Sequence, residues 1–349
     1  MRALFYLAWV LSSVLGNPTY QSVLQAESMQ MAPGDNPHMQ DQGAAKEILR
    51  LKVNVNLVTI DVTVHDKRGG LIGDLQPEDF VVYDNGVVQQ VTCFSHDDSP
   101  LAIALVIDRS PSIKPHLAQL HKVAQSALRR LKPGDEAALY GFSGEPSQLC
   151  DFTQDFAEIA QAISLMGIYG GMTNINDAIF KAAHDLRAKT PDRRHAIILI
   201  SDNYPSMRSH HNDSETLREA IDAATTLYSI RTPGENLLHY LLTVSFPRPP
   251  NMGRPSSVEK YARETGGEVW HVGAKGTLPN ALGAAISNLR QRYVLGFVPS
   301  SIGVDGSYHP LSVKIREKKR CPGCRVQARS GYYAVSAAPS LQPPGRSEQ

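Results

Sequence analysis

The strongest constraint on the fold is one apolar run in the first third of the chain. The stretch 101–107 holds seven apolar residues without interruption, and it leads directly into Asp108. A run of this length is typical of a strand that is buried on both faces, as in a parallel sheet. Open α/β sheets bind their ligands at the carboxyl ends of their strands. The polar residues that follow the run are therefore the first candidates for a functional site.

Three oxygen-bearing side chains alternate with other residues directly after this run: Asp108, Ser110 and Ser112. If the loop curls, their oxygens point into one small volume, and oxygen ligands of this kind suit Mg²⁺, Mn²⁺ or Ca²⁺. Asp and Ser before a helix are also the usual N-cap residues. Taken alone, the stretch favours this capping role over a metal site.

Strand and helix patterns alternate from residue 101 to about residue 290. Further strands are predicted over 136–142, 149–152, 196–200, 237–246 and 268–272. Helices are predicted over 113–131, 156–165, 175–186, 216–230, 256–265 and 278–289. This order predicts an α/β fold in which a doubly wound, mainly parallel sheet is covered by helices on both faces.

Both flanks of this region are rich in strand patterns. Apolar residues alternate near 50–98, where Asp84-Asn85-Gly86 predicts a hairpin, and strand patterns return over 291–335. Each flank has too few strands to bury two faces. We therefore predict a small β-sandwich built from an N-terminal β unit (50–98) and the C-terminal strands (291–335), with the α/β domain (99–290) inserted. Two separate β units are the alternative.

The two ends of the chain have compositions that differ from the rest. Residues 1–16 combine a basic start with an apolar stretch, which predicts an export signal peptide. Residues 17–49 and 336–349 are polar and without a period, which predicts a disordered linker and a disordered tail. Beyond the N-terminus no apolar run reaches the roughly 18 residues of a membrane span. We expect a secreted or periplasmic protein; a retained membrane anchor is the alternative.

Charge and cysteine content narrow the class of partner and the compartment. The chain has 35 Lys and Arg against 34 Asp and Glu, so it lacks the strong positive field that nucleic-acid binding requires.

Pro and Gly between Cys321 and Cys324 fit a type II turn, and this predicts a disulfide between the two cysteines. Cys93 and Cys150 are interpreted as buried thiols.

Two further oxygen groups follow later elements of the α/β region. Thr173 ends a glycine-rich loop, and Asp202 follows the predicted strand 196–200. The loops after parallel strands lie at one edge of the sheet. Five side chains are thus predicted to converge: Asp108, Ser110, Ser112, Thr173 and Asp202. Two carboxylates balance one divalent ion, and a remaining coordination position would hold water that a partner's carboxylate can replace.

This set resembles a known metal site. Asp-x-Ser-x-Ser at 108–112, Gly-Gly-x-Thr-Asn at 170–174 and Ile-Ser-Asp at 200–202 resemble the metal-ion-dependent adhesion site of a von Willebrand factor type A domain. The similarity spans about residues 98–290. The flanking segments 58–64, 75–80, 293–297 and 331–333 resemble the bacterial exported proteins called VWFA-related.

The resemblance carries expectations about each ligand. It implies that Ser110 and Ser112 ligate the metal directly and that Thr173 joins them in a high-affinity state. Asp108 and Asp202 would act directly or through water. The ion expected is Mg²⁺, with Mn²⁺ or Ca²⁺ as alternatives. Domains of this family bind protein ligands and do not usually catalyse reactions, so we expect no catalytic residues.

Three positions near the site depart from the family pattern. Pro111 stands where the family usually has Gly, and it favours an extended Ser110. Arg109 places a positive charge beside the site, which would either weaken metal binding or help to hold an acidic ligand. Asn203 replaces a Gly, and Asn tolerates left-handed backbone geometry.

His210 and His211 are interpreted as a solvated loop pair whose rings face different ways.

These observations predict an exported protein-binding module that captures an acidic group of a protein partner through a divalent metal. A structural component of the cell envelope, with the α/β domain as a metal-free scaffold, is the alternative. A hydrolase that activates water at the metal ranks third, because the motif places no general base beside the ion.

Overall fold

The computed structural model describes residues 57–96, 99–169, 173–204, 209–233, 257–273, 276–300, 306–316 and 321–334. The predicted signal peptide, linker and tail lie outside these ranges, as does the predicted strand 237–246. None of the helices within the described ranges has the length and apolar character needed to cross a membrane.

The strands alternate with helices through the middle of the chain. In chain order the strands are β1 (Val58–His65), β2 (Phe80–Asp84), β3 (Val87–Gln89), β4 (Val91–His96), β5 (Leu101–Asp108), β6 (Glu136–Phe142), β7 (Ser147–Thr153), β8 (Arg194–Ser201), β9 (Thr225–Arg231), β10 (Val269–His271), β11 (Tyr293–Phe297), β12 (Tyr308–Ile315), β13 (Arg325–Ala328) and β14 (Gly331–Tyr333). The helices are α1 (Lys114–Leu128), α2 (Phe156–Leu165), α3 (Ile175–Lys189), α4 (Asp213–Asp222), α5 (Val258–Glu264) and α6 (Leu278–Arg290).

A six-stranded sheet forms the centre of the α/β region. Its strand order is β10-β9-β8-β5-β6-β7, in which β7 runs antiparallel to β6 and the other neighbours pair in parallel. Every residue of β5 is buried. Its large side chains face a core shared with α1, α2 and α6, and its small ones, such as Ala102 and Ala104, face α3, α4 and α5. The predicted doubly wound α/β fold is confirmed.

The flanking strands form two sheets packed face to face. Their orders are β13-β1-β11-β4 and β14-β12-β2-β3. β1 pairs antiparallel with β11 and β13, and β12 pairs with β2, so each sheet mixes strands from both flanks. Ile60, Val62, Phe80 and Phe297 lie fully buried between the sheets. The small β-sandwich of the predicted fold class is present.

One buried polar cluster joins the sandwich to the amino-terminal ends of the central strands. Arg292 is fully buried and donates to Thr226 Oγ1 at 2.7 Å and to the Tyr228 hydroxyl at 2.7 Å. Asp61 Oδ2 accepts two hydrogen bonds from Arg194 at 3.1 Å and lies 3.8 Å from Arg292 Nη1. Burial raises the pKa of Asp61, but the charges of Arg194 and Arg292 outweigh it, so the pKa is lowered. The carboxyl edge of the sheet stays clear of this junction.

The predicted helix over 216–230 is confirmed as far as Asp222 and is wrong beyond it. The helix ends at Asp222, and β9 begins at Thr225 after a turn at Ala224, whose φ is 47°. Leu227 and Ile230 stand at positions that fit the helical spacing, but they belong to β9, a buried strand that pairs with β8. The β-branched residues of this segment and its place in the sheet override the helical pattern.

Two of the four cysteines form a disulfide, and the other two are free. Cys321 and Cys324 form the predicted disulfide, with 5.5 Å between their Cα atoms and Gly323 at a φ of 73°. Cys150 is buried, but Cys93 is exposed, so the buried-thiol interpretation is wrong for Cys93. Cys93 lies on β4 opposite Gly296, which has no side chain to cover it.

Candidate metal centre

Asp108 ends the central strand with a carboxylate that is fully buried. Its Oδ1 accepts a hydrogen bond from the Ser110 backbone at 2.8 Å, and its Oδ2 accepts one from Ser201 Oγ at 2.8 Å. Burial raises the pKa of Asp108, the charge of Asp202 adds to the rise, and hydrogen bonds from Ser110 and Ser201 offset part of it, so that the pKa lies at about 6. These hydrogen bonds hold the carboxylate in one orientation, and among the described residues no Lys, Arg or His forms an ion pair with it.

Ser110 and Ser112 turn their hydroxyls toward each other, with 2.9 Å between the Oγ atoms. Ser110 is extended (φ −69°, ψ 162°), as the following proline favours. Pro111 begins a short 3₁₀ helix, Pro111–Ile113, at a position where a proline costs no backbone hydrogen bond. Ser110 occupies the N-cap position without making a side-chain capping bond. The capping role considered from the sequence therefore does not describe Ser110.

Thr173 lies buried, 4% exposed, just before α3. The next residue, Asn174, caps this helix by accepting from the Asp177 backbone at 3.2 Å. The preceding part of the loop is tied to the end of β5, because Tyr169 donates its backbone N–H to the Arg109 carbonyl at 2.9 Å. Tyr169 is thus fixed next to the end of β5.

Asp202 follows β8, whose Ile200 pairs with Ile107 of β5. It is half-buried, and its Oδ1 accepts from the Tyr204 backbone at 2.9 Å. Asn203 adopts the expected left-handed geometry (φ 60°) and is fixed by two hydrogen bonds with Ser229, at 2.9 and 3.1 Å. These hydrogen bonds fix the first residues after β8.

The sequence pattern did not identify Ser201 as part of the site. Its hydroxyl donates to Asp108 and accepts from the Asn203 backbone at 3.1 Å, so it links the ends of β5 and β8. The signal was available, because Ser201 stands between Ile200 and Asp202 in the motif itself.

The donor chemistry fits a hard divalent cation. Asp108, Ser110 and Ser112 are brought together by direct hydrogen bonds, and Asp202 lies near enough for its charge to act on Asp108. Within the described part of the chain, no group of three or more His, Cys, Asp and Glu side chains has metal-binding geometry. A metal at this edge would therefore need the serine and threonine hydroxyls as ligands, and these suit Mg²⁺ better than a soft metal.

The Arg109 side chain contacts residues 167–169. Its Nε donates to the Gly167 carbonyl at 3.0 Å, and its guanidinium carbon lies 3.9 Å from the centre of the Tyr169 ring. Its charge therefore lies beside Gly167 and Tyr169.

The expected solvent exposure of His210 and His211 is confirmed, since their side chains are 70% and 37% exposed, but the expectation that their rings face different ways is wrong. Both backbones and both Nδ1 atoms hydrogen-bond to the Asp177 carboxylate, at distances between 2.8 and 3.0 Å. The His211 ring also stacks on Phe180 at 3.6 Å. Asn174 Nδ2 donates to the same carboxylate, and Ser209 Oγ donates to Asn174 Oδ1 at 2.5 Å.

Asp177 thereby joins the start of α3 to the segment 209–211. Burial raises its pKa, but the hydrogen bonds from His210, His211 and Asn174 outweigh this, and the pKa falls to about 2. No local pattern indicates this role, because the histidines lie more than 30 residues downstream of Asp177.

Part of the chain matches a known protein family. The family model for the von Willebrand factor type A domain matches residues 103–204. Comparison with curated proteins gives no match.

Several solved structures are similar to this chain. A von Willebrand factor type A protein from Catenulispora acidiphila has a TM-score of 0.43 and 12% identity, covering 81% of this chain and 75% of its own. BatB from Bacteroides thetaiotaomicron has a TM-score of 0.39 and 17% identity, covering 54% of this chain and 97% of its own. A third structure is proximal thread matrix protein 1 from the mussel byssus, solved with a zinc-occupied MIDAS motif. It has a TM-score of 0.41 and 16% identity, covering 58% of this chain and 48% of its own.

The motif residues at the carboxyl edge of the sheet, the doubly wound topology and the match to the family model agree with one another. The part of the chain that the family model matches, residues 103–204, is similar to a von Willebrand factor type A domain.

Proposed function

We propose that this protein is a binding module that holds a divalent cation at the carboxyl edge of its central sheet and uses it to capture an acidic group of a protein partner. The proposed ligands are Asp108, Ser110, Ser112, Thr173 and Asp202. Mg²⁺ is the proposed ion, with Mn²⁺ or Ca²⁺ as alternatives. When bound, the ion supplies a positive centre that a carboxylate of the partner can coordinate.

The observation that carries this proposal is the state of Asp108. Its carboxylate is fully buried, its pKa is raised to about 6, and no described Lys, Arg or His forms an ion pair with it. An ionised carboxylate in such a place is costly unless a cation compensates it. The paired hydroxyls of Ser110 and Ser112 lie beside it and offer neutral oxygens that complete a hard-metal shell.

We also propose that the protein is exported to the periplasm or secreted through a signal peptide at residues 1–16, with a retained membrane anchor as the alternative. The disulfide between Cys321 and Cys324 supports this proposal, because structural disulfides persist mainly in oxidising compartments.

The test is calorimetric titration of Mg²⁺ and Mn²⁺ into the wild type and the Ser110→Ala/Ser112→Ala variant. The matched control is Ser126→Ala/Ser164→Ala, which removes two exposed hydroxyls that bond only to carbonyls of their own helices. We expect saturable binding in the wild type and the control, and loss of binding in the first variant. Absence of binding in the wild type, or equal binding in all three proteins, would favour the metal-free structural role.

A further inference from the structure

Arg109 is held rigidly at the rim of the candidate site. Its backbone N–H donates to the Phe142 carbonyl at 2.7 Å, and its carbonyl accepts from Tyr169 at 2.9 Å. Its side chain is fixed as well, by the bond to Gly167 and by the Tyr169 ring. Main chain and side chain are thus both positioned by β6 on one side and by the loop before Thr173 on the other.

Gly141 makes room for this side chain. A Cβ at position 141 would lie 2.5 Å from Arg109 Cδ and 2.8 Å from Leu149 Cδ1. The aliphatic part of Arg109 therefore runs close over the glycine backbone, beside Leu149. An arginine that is already ordered loses less conformational entropy when it binds a partner than a freely rotating one does.

The guanidinium has donors left for a ligand. Within the described residues no Asp or Glu lies within ion-pair distance of Arg109, whereas Arg193 and Arg194 are paired with Glu136 and Asp61. Only its Nε has a hydrogen-bond partner among those residues. Two Nη groups that project in parallel fit a carboxylate with two hydrogen bonds.

The surroundings of Arg109 suit a protein partner. Tyr169 is 58% exposed and Leu149 is 36% exposed, so an aromatic ring and an aliphatic side chain flank the charge. Aromatic side chains and arginine are the residue types enriched at protein interfaces.

We propose that Arg109, supported by the Tyr169 ring, is a second anion-binding group on the partner-binding face, and that the partner segment carries two neighbouring acidic side chains. This rests on the proposed function: one carboxylate binds at the metal centre and the second binds Arg109. Arg109 lies between two proposed ligands in the chain, Asp108 and Ser110, and its backbone is bonded to Phe142 and Tyr169, so both anion-binding points belong to the same edge of the sheet. An extended peptide advances about 3.3 Å per residue, so two acidic residues one to three positions apart cover separations of roughly 3 to 10 Å.

The test uses two synthetic peptides, one with a single aspartate among alanines and one with two aspartates separated by one alanine. Binding is measured by NMR titration of the isotope-labelled protein in Mg²⁺. We expect the two-aspartate peptide to bind the wild type about tenfold more tightly, as one exposed but pre-ordered charged pair allows. It should also shift the Nε–H resonance of Arg109.

Four variants separate the roles of the charge and the ring. Arg109→Gln should abolish the tenfold preference, and Tyr169→Ala should reduce it. Tyr169→Phe, which keeps the ring, should leave it unchanged. Arg68→Gln, which removes an exposed arginine of the sandwich, should also leave it unchanged.

Calorimetry on the same proteins distinguishes failure of this inference from failure of the proposed function. If the wild type binds Mg²⁺ but both peptides bind equally, or if Arg109→Gln keeps the preference, the role of Arg109 is overturned and the metal site stands. If the wild type binds no Mg²⁺, the proposed function fails and the two-point capture fails with it.

Discussion

At the scale of one residue, the buried carboxylate of Asp108 is a proposed metal ligand, but it lowers the stability of the metal-free protein. Its pKa of about 6 lies above that of an aspartate in an unfolded chain, about 3.9. Between these two pH values the folded protein holds a proton that the unfolded chain has released. The stability of the metal-free protein therefore falls as the pH rises through this window, and it stays reduced at neutral pH.

We expect Asp108→Asn to abolish metal binding and to raise the free energy of unfolding of the metal-free protein by about 1–3 kcal/mol at pH 7.5. Asparagine has nearly the same shape and removes the buried charge. Urea unfolding in the presence of a chelator measures the effect. The gain should largely disappear near pH 4, where the folded wild type is protonated. A loss of stability at pH 7.5, or a gain that does not change with pH, would contradict this account.

At the scale of secondary-structure elements, the site depends on how loops are tied together. One carboxylate, Asp177, accepts hydrogen bonds from two backbone N–H groups and two imidazoles and so fixes the helix that follows Thr173. Its folded-state pKa of about 2 lies below the unfolded value, so its contribution to stability is present at neutral pH and is lost as the pH falls toward 2.

We expect Asp177→Asn to lower the free energy of unfolding by about 1–3 kcal/mol, because it removes the charge from several partly buried hydrogen bonds. It should also weaken Mn²⁺ binding, because Thr173 loses its fixed position. Asp213→Asn is the matched control, since Asp213 begins α4 and bonds Ser257, Asn176 and Tyr261 instead. Chemical unfolding and calorimetry should show similar stability losses in both variants, with a loss of metal affinity in Asp177→Asn alone. Equal metal affinities would refute the positioning role.

Element types and the site motif were predictable where the information is local. The run 101–107 and its polar end indicated a buried strand and a possible ligand set from neighbouring residues alone. The failures involve distant partners. The segment 225–231 became a strand because β8 pairs with it, and the histidine rings face one way because Asp177 attracts both. The position of Arg109 depends on Gly141 and Tyr169, which no spacing rule connects to it.

At the scale of the whole molecule, the sandwich and the α/β region share one buried ionic junction. Asp61 of β1 bonds Arg194 at the start of β8 and faces Arg292, which has no exposed surface. Both sheets of the sandwich need strands from both flanks of the α/β region. The two parts should therefore unfold together.

We expect Asp61→Ala to destabilise the protein by about 3–5 kcal/mol, because it leaves two buried guanidinium groups without their carboxylate. Asp151→Ala is the control: it removes a 67% exposed partner of Lys189, and we expect a loss below about 1 kcal/mol. Urea unfolding followed by both fluorescence and circular dichroism measures both effects. Two separate transitions in the wild type would contradict the shared unfolding.

The central place of β1 in its sheet has a mechanical consequence. β1 is bonded to β11 over 58–62 and to β13 over 62–65, so it has a neighbour on each side. When tension acts along such a strand, its ladder hydrogen bonds bear the load together, whereas an edge strand is unzipped one bond at a time. A pull between a captured partner at the carboxyl edge and the segment that enters β1 would thus load these ladders in shear. The paired ladders of β1 should therefore resist traction applied to the α/β domain.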